Sequence, residues 1–194
     1  MRQPFSLRNS PCAVFLTLFF VLAARPARAE GFIAPFGGFS FGGAAVTCAN
    51  LAACEQRRAN WGISLGTAHG IFGFEEDISY VPQFYGRTPN ESSAMLTIAS
   101  NMMVRFPSGL VRPYALVGVA FIRPHATLDA AGLGYDKTVI GYDLGGGVTL
   151  FTDRHVGVRS DLRRIRSMKA ATFGAFSNEQ VDYWRGSVGL SFRF

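Results

Sequence analysis

Several features are scarce in this 194-residue sequence, and each scarcity excludes a class of protein. Charged residues make up only 16% of the chain against 48% hydrophobic residues, which excludes a disordered chain, a coiled coil and a helical bundle. Three cysteines are too few for a disulfide-framework scaffold. After residue 29 no run of 18 apolar residues occurs, so no later segment can cross a bilayer as a helix. The chain is instead rich in glycine, with 22, and phenylalanine, with 18.

Residues 1–29 have the pattern of a secretory signal peptide. A positively charged start precedes an apolar stretch at 12–24, and a small-x-small cleavage site ends at Ala29. The apolar stretch is shorter than the roughly 20 residues that a spanning helix needs. The mature chain is therefore predicted to begin at Glu30. It keeps 15 basic against 13 acidic residues, so no basic excess remains that would indicate nucleic-acid binding.

The mature chain keeps two cysteines, Cys48 and Cys54. In an exported protein such a close pair is more often a loop disulfide than a metal site, because the compartment is oxidising and no partner His or Cys lies nearby. We expect a Cys48–Cys54 disulfide, no metal and no cofactor.

Alternation of apolar residues with polar or tiny ones predicts eight strands. The alternation is strictest at 184–194, where Trp, Leu and Phe occupy one parity and Arg, Ser and Gly the other. The other predicted strands are 32–43, 61–68, 72–81, 94–104, 112–122, 140–150 and 156–163. Both parities of 112–122 are apolar, so its facing stays open.

The connections between these strands alternate in length. Those at 44–59, 82–92, 123–137 and 167–180 are long, whereas those at 69–71, 105–111 and 152–155 are shorter. One rim of the structure should therefore carry the long loops, and the other rim the turns and both termini.

Alternation alone does not say which parity faces water, since a soluble ligand-binding barrel shows the same period with its apolar side inward. Residue size decides the question. The polar parity is rich in Gly, Ser and Ala, which suits the crowded interior of an eight-stranded barrel, and the bulky parity then faces lipid. The predicted fold class is all-β, an eight-stranded antiparallel transmembrane up-and-down β-barrel formed by residues 30–194.

Charges of both signs fall on the inward parity, and they are the candidate site residues. An unpaired charge in a narrow interior is costly, so we expect these groups to form an ion-pair network that plugs the lumen. The network is either a fixed structural staple or a gate whose pairs rearrange to pass small solutes. Its predicted members are Glu75, Asp77, Arg105, Asp143, Arg159, Asp161, Arg163 and Arg185.

A few side chains on the outward parity carry further expectations. Glu76 turns towards lipid, and its nearness to the turn at 69–71 predicts a place at the interface, where the cost of a charge is about 0–1 kcal/mol. The candidates for interfacial aromatic belts are Trp61, Tyr80, Tyr114 and Trp184.

The C-terminal strand carries the most specific resemblance to a known family. Its alternate positions hold Trp184, Val188, Leu190, Phe192 and Phe194, and weaker echoes lie at 73–75, 112–118, 142–147 and 156–163. On these residues the chain resembles the outer-membrane β-barrel family, the eight-stranded group that includes the barrel domains of OmpA and OmpX. The resemblance implies a porin-like shape in the outer membrane of a Gram-negative-type cell. It also implies that the C-terminal strand is read by the barrel-assembly machinery.

No residues with the arrangement of an active site stand out, and no enzyme is expected. The three histidines fall at the turn rim or in a loop, and a lipid-modifying enzyme using His125 is only a remote alternative. The densest basic run, Arg163 to Arg166 with Lys169, could pair with the phosphates of lipopolysaccharide or be a solvated strand end. The expected function is a small barrel with a structural or surface-interaction role, its long loops open to an extracellular ligand. The alternative is a narrow porin-like channel for small solutes.

Overall fold

The computed structural model describes most of the chain after residue 29. The described residues are 30–42, 57–84, 91–106, 109–128, 133–136, 138–168, 171–173, 176–179 and 181–194. The predicted signal peptide, Cys48 and Cys54 lie outside them. Within these ranges no helix has the length and apolar character needed to cross a membrane.

The described residues form eleven strands. Their bounds are β1 Glu30–Phe41, β2 Arg57–His69, β3 Phe72–Pro82, β4 Glu91–Arg105, β5 Val111–Leu128, β6 Leu133–Asp136, β7 Val139–Phe151, β8 Val156–Ser167, β9 Ala171–Phe173, β10 Phe176–Glu179 and β11 Asp182–Arg193.

Eight of these strands close into an antiparallel barrel. Their order is β4-β3-β2-β1-β11-β8-β7-β5, and β4 also pairs with β5, which completes the ring. The first and last strands meet through the β1–β11 pairing. Closure leaves no barrel strand with an unpaired edge, which is what a sheet must achieve inside a bilayer. The predicted fold class is confirmed.

The remaining strands lie where long loops were expected. β5 continues to Leu128 and pairs with β6, while β9 and β10 form a small hairpin between β8 and β11. The continuation of β5 is not evident from the sequence, because polar residues, Arg123 and His125, occupy its outward positions. Ile122 and Pro124 stay buried on the other parity, so the two-residue period continues although the outer face becomes polar.

The open question of the facing of β5 has a clear answer. Tyr114, Leu116 and Ile122 are buried inside the barrel, whereas Val117 and Phe121 are exposed on its outer surface. Both faces are apolar because one side of this strand belongs to the exposed apolar outer surface and the other packs against apolar interior side chains.

The outer surface carries a continuous set of exposed apolar side chains, as a lipid-facing surface requires. Trp61 and Trp184 are among them, 60% and 38% exposed, and the ring centroids of Trp61 and Tyr80 lie 5.3 Å apart. These three aromatic residues lie near the barrel end that carries the long connections, which we call the loop side. Tyr114 was expected in the same belt, but its side chain points inward because it shares parity with Arg112 and Leu116.

The opposite end of the barrel, called the turn side here, carries three shorter connections. Gly70 and Gly109 adopt φ values of 59° and 55° there, which glycine tolerates best. In the turn between β7 and β8 the Asp153 carboxylate accepts the backbone N–H groups of His155 at 2.7 Å and Val156 at 2.9 Å. These two bonds hold the pKa of Asp153 below its usual range.

Glu76 lies deeper in the outer surface than its sequence position suggests. It is the fifth residue of β3 and is paired with Leu65 and Ser100 on the neighbouring strands. Four residues of tilted strand place it about 10 Å from the turn end, inside an apolar band about 25 Å tall. Both of its carboxylate oxygens accept the Ser100 hydroxyl at 2.8 Å.

Replacing Glu76 by leucine together with Ser100 by alanine is expected to raise the free energy of unfolding by about 1 kcal/mol, because the pair costs more in lipid than apolar side chains do. Urea titration of the protein folded into lipid vesicles measures the change. Ser160→Ala, at an outward serine that is exposed, serves as the control and should change stability by less than about 0.5 kcal/mol. A double variant less stable than the parent would show that the pair supports the barrel.

Candidate functional site in the barrel lumen

Arg163 lies at the centre of a buried ion-pair cluster in the lumen. Its Nη2 is 2.7 Å from Glu75 Oε1 and 3.0 Å from Asp161 Oδ1. Its Nη1 is 3.3 Å from Asp143 Oδ2 and 3.4 Å from Asp77 Oδ2. The Arg163 side chain is 1% exposed and the four carboxyl groups that it contacts are 4% exposed or less, so all five groups lie away from bulk water.

The cluster spans the barrel because its members come from opposite walls. β3 contributes Glu75 and Asp77 at alternate positions, and β8 contributes Arg159, Asp161 and Arg163. In the ring order β3 and β8 are separated by β2, β1 and β11 on one side and by β4, β5 and β7 on the other. A contact between them therefore crosses the full width of the lumen.

Arg159 extends the cluster towards the turn side. Its Nη2 is 2.6 Å from Glu75 Oε2, and its Nε donates to Asp161 Oδ2 at 3.1 Å and to Tyr114 Oη at 2.7 Å. Tyr114 in turn donates its hydroxyl to Asp161. The Arg159 guanidinium also lies over the rings of Tyr114 and Phe32, at 4.4 and 5.2 Å from their centroids. Aromatic faces thus replace part of the water that this cation loses.

Arg185 on β11 completes the cluster. Its Nη1 is 2.8 Å from Asp77 Oδ1, and its guanidinium lies 4.9 Å from the centroid of the Phe36 ring. The Ser64 hydroxyl donates to Asp77 Oδ2 at 2.9 Å. On the other side Asn101 Nδ2 donates to Asp143 Oδ2 at 3.1 Å.

The structure brings together seven of the eight predicted network residues and places Arg105 elsewhere. Arg105 has the inward parity, but it is the last residue of β4 and lies at the turn-side mouth. There its Nη1 is 2.8 Å from Glu30 Oε2, and Arg112 and Arg193 also contact Glu30. The parity of Arg105 correctly predicts that it points inward. Its position along the barrel axis, which parity does not give, separates it from the cluster.

The inward glycines are covered by large neighbouring side chains. A Cβ added at Gly145 would lie 2.8 Å from Arg163 Cγ, and one at Gly147 would lie 2.8 Å from Tyr114 Cζ. Added Cβ atoms at Gly62 and Gly66 would meet the rings of Phe36 and Phe32 at 2.5 Å. These glycines therefore create the room in which the cations and rings pack.

Two groups of apolar side chains enclose the charged cluster along the barrel axis. Towards the turn side, Met103, Tyr114 and Leu116 pack together with Phe32. Towards the loop side lies a larger group that includes Met95, Ile122, Ile165 and Tyr183. Since neither layer contains a charge, the ion pairs lie in a poorly hydrated environment, where electrostatic interactions are stronger.

Comparison with known proteins shows which family has this architecture. The family model described as outer membrane protein beta-barrel domain matches residues 13–194. The chain belongs to this family. Membership implies a location in the outer membrane.

Several solved structures share the fold of this outer-membrane barrel. Neisserial surface protein A has 15% identity, a TM-score of 0.62, and coverage of 86% of this chain and 97% of that one. Ail, the attachment invasion locus protein of Yersinia pestis, has 9% identity, a TM-score of 0.57, and coverage of 86% and 99%. The N-terminal β-barrel domain of Pseudomonas aeruginosa OprF has 14% identity, a TM-score of 0.54, and coverage of 85% and 97%. At these identities the likeness is one of fold, and no curated protein sequence matches the chain.

The last strand of this outer-membrane barrel presents its predicted assembly residues to the outside. Trp184, Val188, Leu190, Phe192 and Phe194 are all exposed, and Phe194 is 80% exposed. The backbone N–H and C=O of Phe194 pair with those of Gly31, each at 3.0 Å. An added Cβ at Gly31 would overlap the Phe194 ring, so glycine at this position lets the last residue pack onto the first strand.

The histidines and the basic run of this outer-membrane barrel do not come together in one site among the described residues. His69 ends β2, His155 lies in the turn before β8, and His125 is exposed on β5 rather than in a loop. In the described part of the chain no three His, Cys, Asp or Glu side chains form a possible metal site. Of the basic run, Arg163 points into the lumen and Arg164 lies outside. Lys169 is not among the described residues.

Sequence reasoning missed the neutral partners of the charged cluster. Phe32, Phe36 and Tyr114 cover two of its arginines, while Ser64 and Asn101 satisfy two of its carboxylates. All five have the inward parity of their strands. An inward aromatic residue beside a glycine of the neighbouring strand is the signal that could have identified Phe32 and Phe36.

Proposed function

We propose that this protein is a closed outer-membrane barrel that serves as a scaffold for surface interaction through its long loops. The observation that carries the proposal is the Arg163–Glu75 contact of 2.7 Å between opposite walls of the lumen. With Asp77, Asp143 and Arg185 around it, this contact supports a plug. An eight-stranded barrel has an interior just wide enough for side chains to fill.

The distribution of the connections supports a role at the cell surface. In this family architecture short turns face the periplasm and long loops face the exterior. The connections between barrel strands at 42–56, 83–90, 129–138 and 168–181 all lie on the loop side, and each is longer than those at 70–71, 106–110 and 152–155. Two proteins of similar fold carry names that refer to the surface or to attachment, namely Neisserial surface protein A and Ail. A surface-interaction role for this chain agrees with those names.

Planar-bilayer recording tests the plug directly. Wild-type protein, purified as the full chain and reconstituted into bilayers, is expected to give no current steps of reproducible size. The reason is that buried ion pairs cross the lumen and large neighbouring side chains cover the inward glycines. Reproducible steps that Arg159→Ala or Asp143→Ala alters would overturn the plug and establish a channel.

One observation favours a narrow channel as the second candidate. Arg185 Nη2, Arg163 Nε and Asp143 Oδ1 are buried and have no hydrogen-bond partner among the described residues. Buried polar groups are normally satisfied by protein or by water. A cluster with spare donors and acceptors can exchange partners, and such an exchange is what a gate for small solutes would use.

The loop-side end of β8 is where lipopolysaccharide would bind. Arg164 donates to Asp182 through Nε at 3.1 Å and Nη2 at 2.8 Å, and its guanidinium lies 5.9 Å from the Trp184 ring. Arg166 lies beside the same carboxylate, at 3.8 Å. Phosphate groups of the outer leaflet would compete with Asp182 for these two arginines.

The last part of the proposal concerns assembly. The barrel-assembly machinery would recognise the exposed residues of β11 while the barrel inserts into the membrane.

A further inference from the structure

The turn-side mouth of the barrel contains more guanidinium than carboxylate. Glu30 accepts contacts from Arg105 at 2.8 Å, Arg193 at 3.3 Å and Arg112 at 3.4 Å. The Glu30 side chain is 39% exposed and the three arginines are 14–20% exposed, so the group is open to water on the turn side. One carboxylate faces three permanent positive charges, which leaves an excess of two.

The central cluster does not cancel this excess. It contains four carboxyl groups and three guanidiniums, and one of these guanidiniums, that of Arg159, also lines the pocket at the mouth. Even if its one surplus carboxyl is counted in full, the two groups together still carry a net positive charge.

The three arginines are held in position by the turns. Arg105 Nε donates to the Gly70 carbonyl at 3.0 Å, Arg112 Nε donates to Gly109 at 3.4 Å, and Arg193 Nε donates to Arg154 at 2.8 Å. Each arginine thus uses its Nε on a different turn and an Nη1 on Glu30. A ligand that binds here finds its donors already ordered, which lowers the entropic cost of binding.

A small pocket lies between these side chains. Its lining includes the aromatic rings of Phe32, Tyr114 and Phe151 and the hydroxyl-bearing side chains of Thr149 and Ser191. Arg112 and Arg193 lie 4.8 and 4.7 Å from the centroid of the Phe151 ring. The cavity volume of about 40 Å³ holds roughly three water molecules, which is space for a compact group and not for a large ligand.

We propose that this turn-side pocket binds a small soluble oxyanion, with a phosphate group preferred to a single carboxylate. Guanidinium groups recognise both through charge-assisted hydrogen bonds, and the second negative charge of a phosphate gains more than a single carboxylate does from the surplus of guanidinium at the mouth. Because the arginines point into the barrel mouth and away from the outer surface, the anion arrives from the aqueous periplasmic side. The site is independent of whether the lumen conducts.

Titration calorimetry of the full chain in a neutral detergent tests the proposal, with inorganic phosphate as the probe and sodium chloride keeping the ionic strength constant. Wild-type protein is expected to bind phosphate saturably and more tightly than acetate. Arg112→Gln should weaken binding about tenfold through loss of a charged donor. Glu30→Gln should tighten it about fivefold, because the competing negative charge is removed.

The matched control is Arg57→Gln, at an exposed arginine on the loop side, which should leave the phosphate affinity unchanged. If Arg112→Gln does not fold, Arg112→Lys replaces it. Lysine keeps the charge without the planar fork, so an intermediate affinity is expected. No saturable phosphate binding, weaker binding by Glu30→Gln, or an equal loss in Arg57→Gln would each overturn the site.

Discussion

Replacing Arg163 by alanine is expected to lower the free energy of unfolding by about 3–5 kcal/mol, the usual cost of removing one partner from a buried ion pair. Arg163 contacts Glu75, Asp77, Asp143 and Asp161, all within 3.4 Å. Without it the four carboxyl groups share two guanidiniums, and among the described residues Asp143 keeps only the Asn101 amide as a hydrogen-bond partner. The truncation also leaves a gap beside Gly145, which has no side chain to fill it.

Urea unfolding in lipid vesicles, followed by tryptophan fluorescence, measures this loss. Arg163→Lys is expected to lose less than the alanine variant, because an ammonium keeps the charge but cannot reach four carboxyl groups with a planar fork. Arg57→Ala, at an exposed position, is the control and should change stability by less than about 0.5 kcal/mol. A loss below about 1 kcal/mol for Arg163→Ala would mean that the cluster contributes little to stability.

The same variant connects stability with function. If Arg163→Ala folds, it lacks one of the two side chains that bridge β3 and β8, the other being Arg159. Given the proposed plug, the lumen of this variant is expected to pass ions that the closed wild-type barrel would exclude. Current steps in the variant together with a silent wild type would assign the barrier to Arg163. A silent variant would place the barrier in the remaining Arg159–Glu75 contact or in the apolar layers around Met103 and Ile165 instead.

Much of the fold could be predicted because one physical rule, the two-residue period, acts along every barrel strand. The rule places Leu190 and Phe192 outside and Arg185 and Ser187 inside without any knowledge of the neighbouring strands. The rule does not predict the facing of β5, because both faces of this strand are apolar. It also underestimates the length of strands whose outer residues become polar beyond the bilayer.

Contacts across the lumen could not be predicted in the same way. Parity shows that Arg105 and Glu75 point inward, but their height depends on strand tilt and on the stagger between neighbours. The stagger brings Arg159 to Glu75 and Arg105 to Glu30. The role of Glu30 as the acceptor for three arginines is therefore a property of the closed ring and has no signature in the local sequence.

A second large loss of stability is expected when a glycine that faces the barrel interior is replaced. Gly118→Ala is expected to lower the free energy of unfolding by about 1–3 kcal/mol, because the interior at this position is already filled. An added Cβ would lie under 3.0 Å from the Ser100 carbonyl oxygen and Asn101 Oδ1, and 2.7 Å from Asn101 Cα. Two of these three atoms belong to the backbone of β4, so the methyl group would push apart the β4–β5 pair that closes the barrel.

Gly37→Ala is the matched control for this prediction, since Gly37 is also a strand glycine but faces outward. The nearest atom to its added Cβ is the Asn60 carbonyl oxygen at 3.8 Å, an ordinary contact. Alanine there should be neutral or stabilising by up to about 1 kcal/mol, because it restricts the unfolded chain. Urea titration and the mobility of unheated samples in gels compare the two variants. Equal stability of Gly118→Ala and Gly37→Ala would show that the lumen has unused space beside Asn101, in which case the inward glycines would favour a channel.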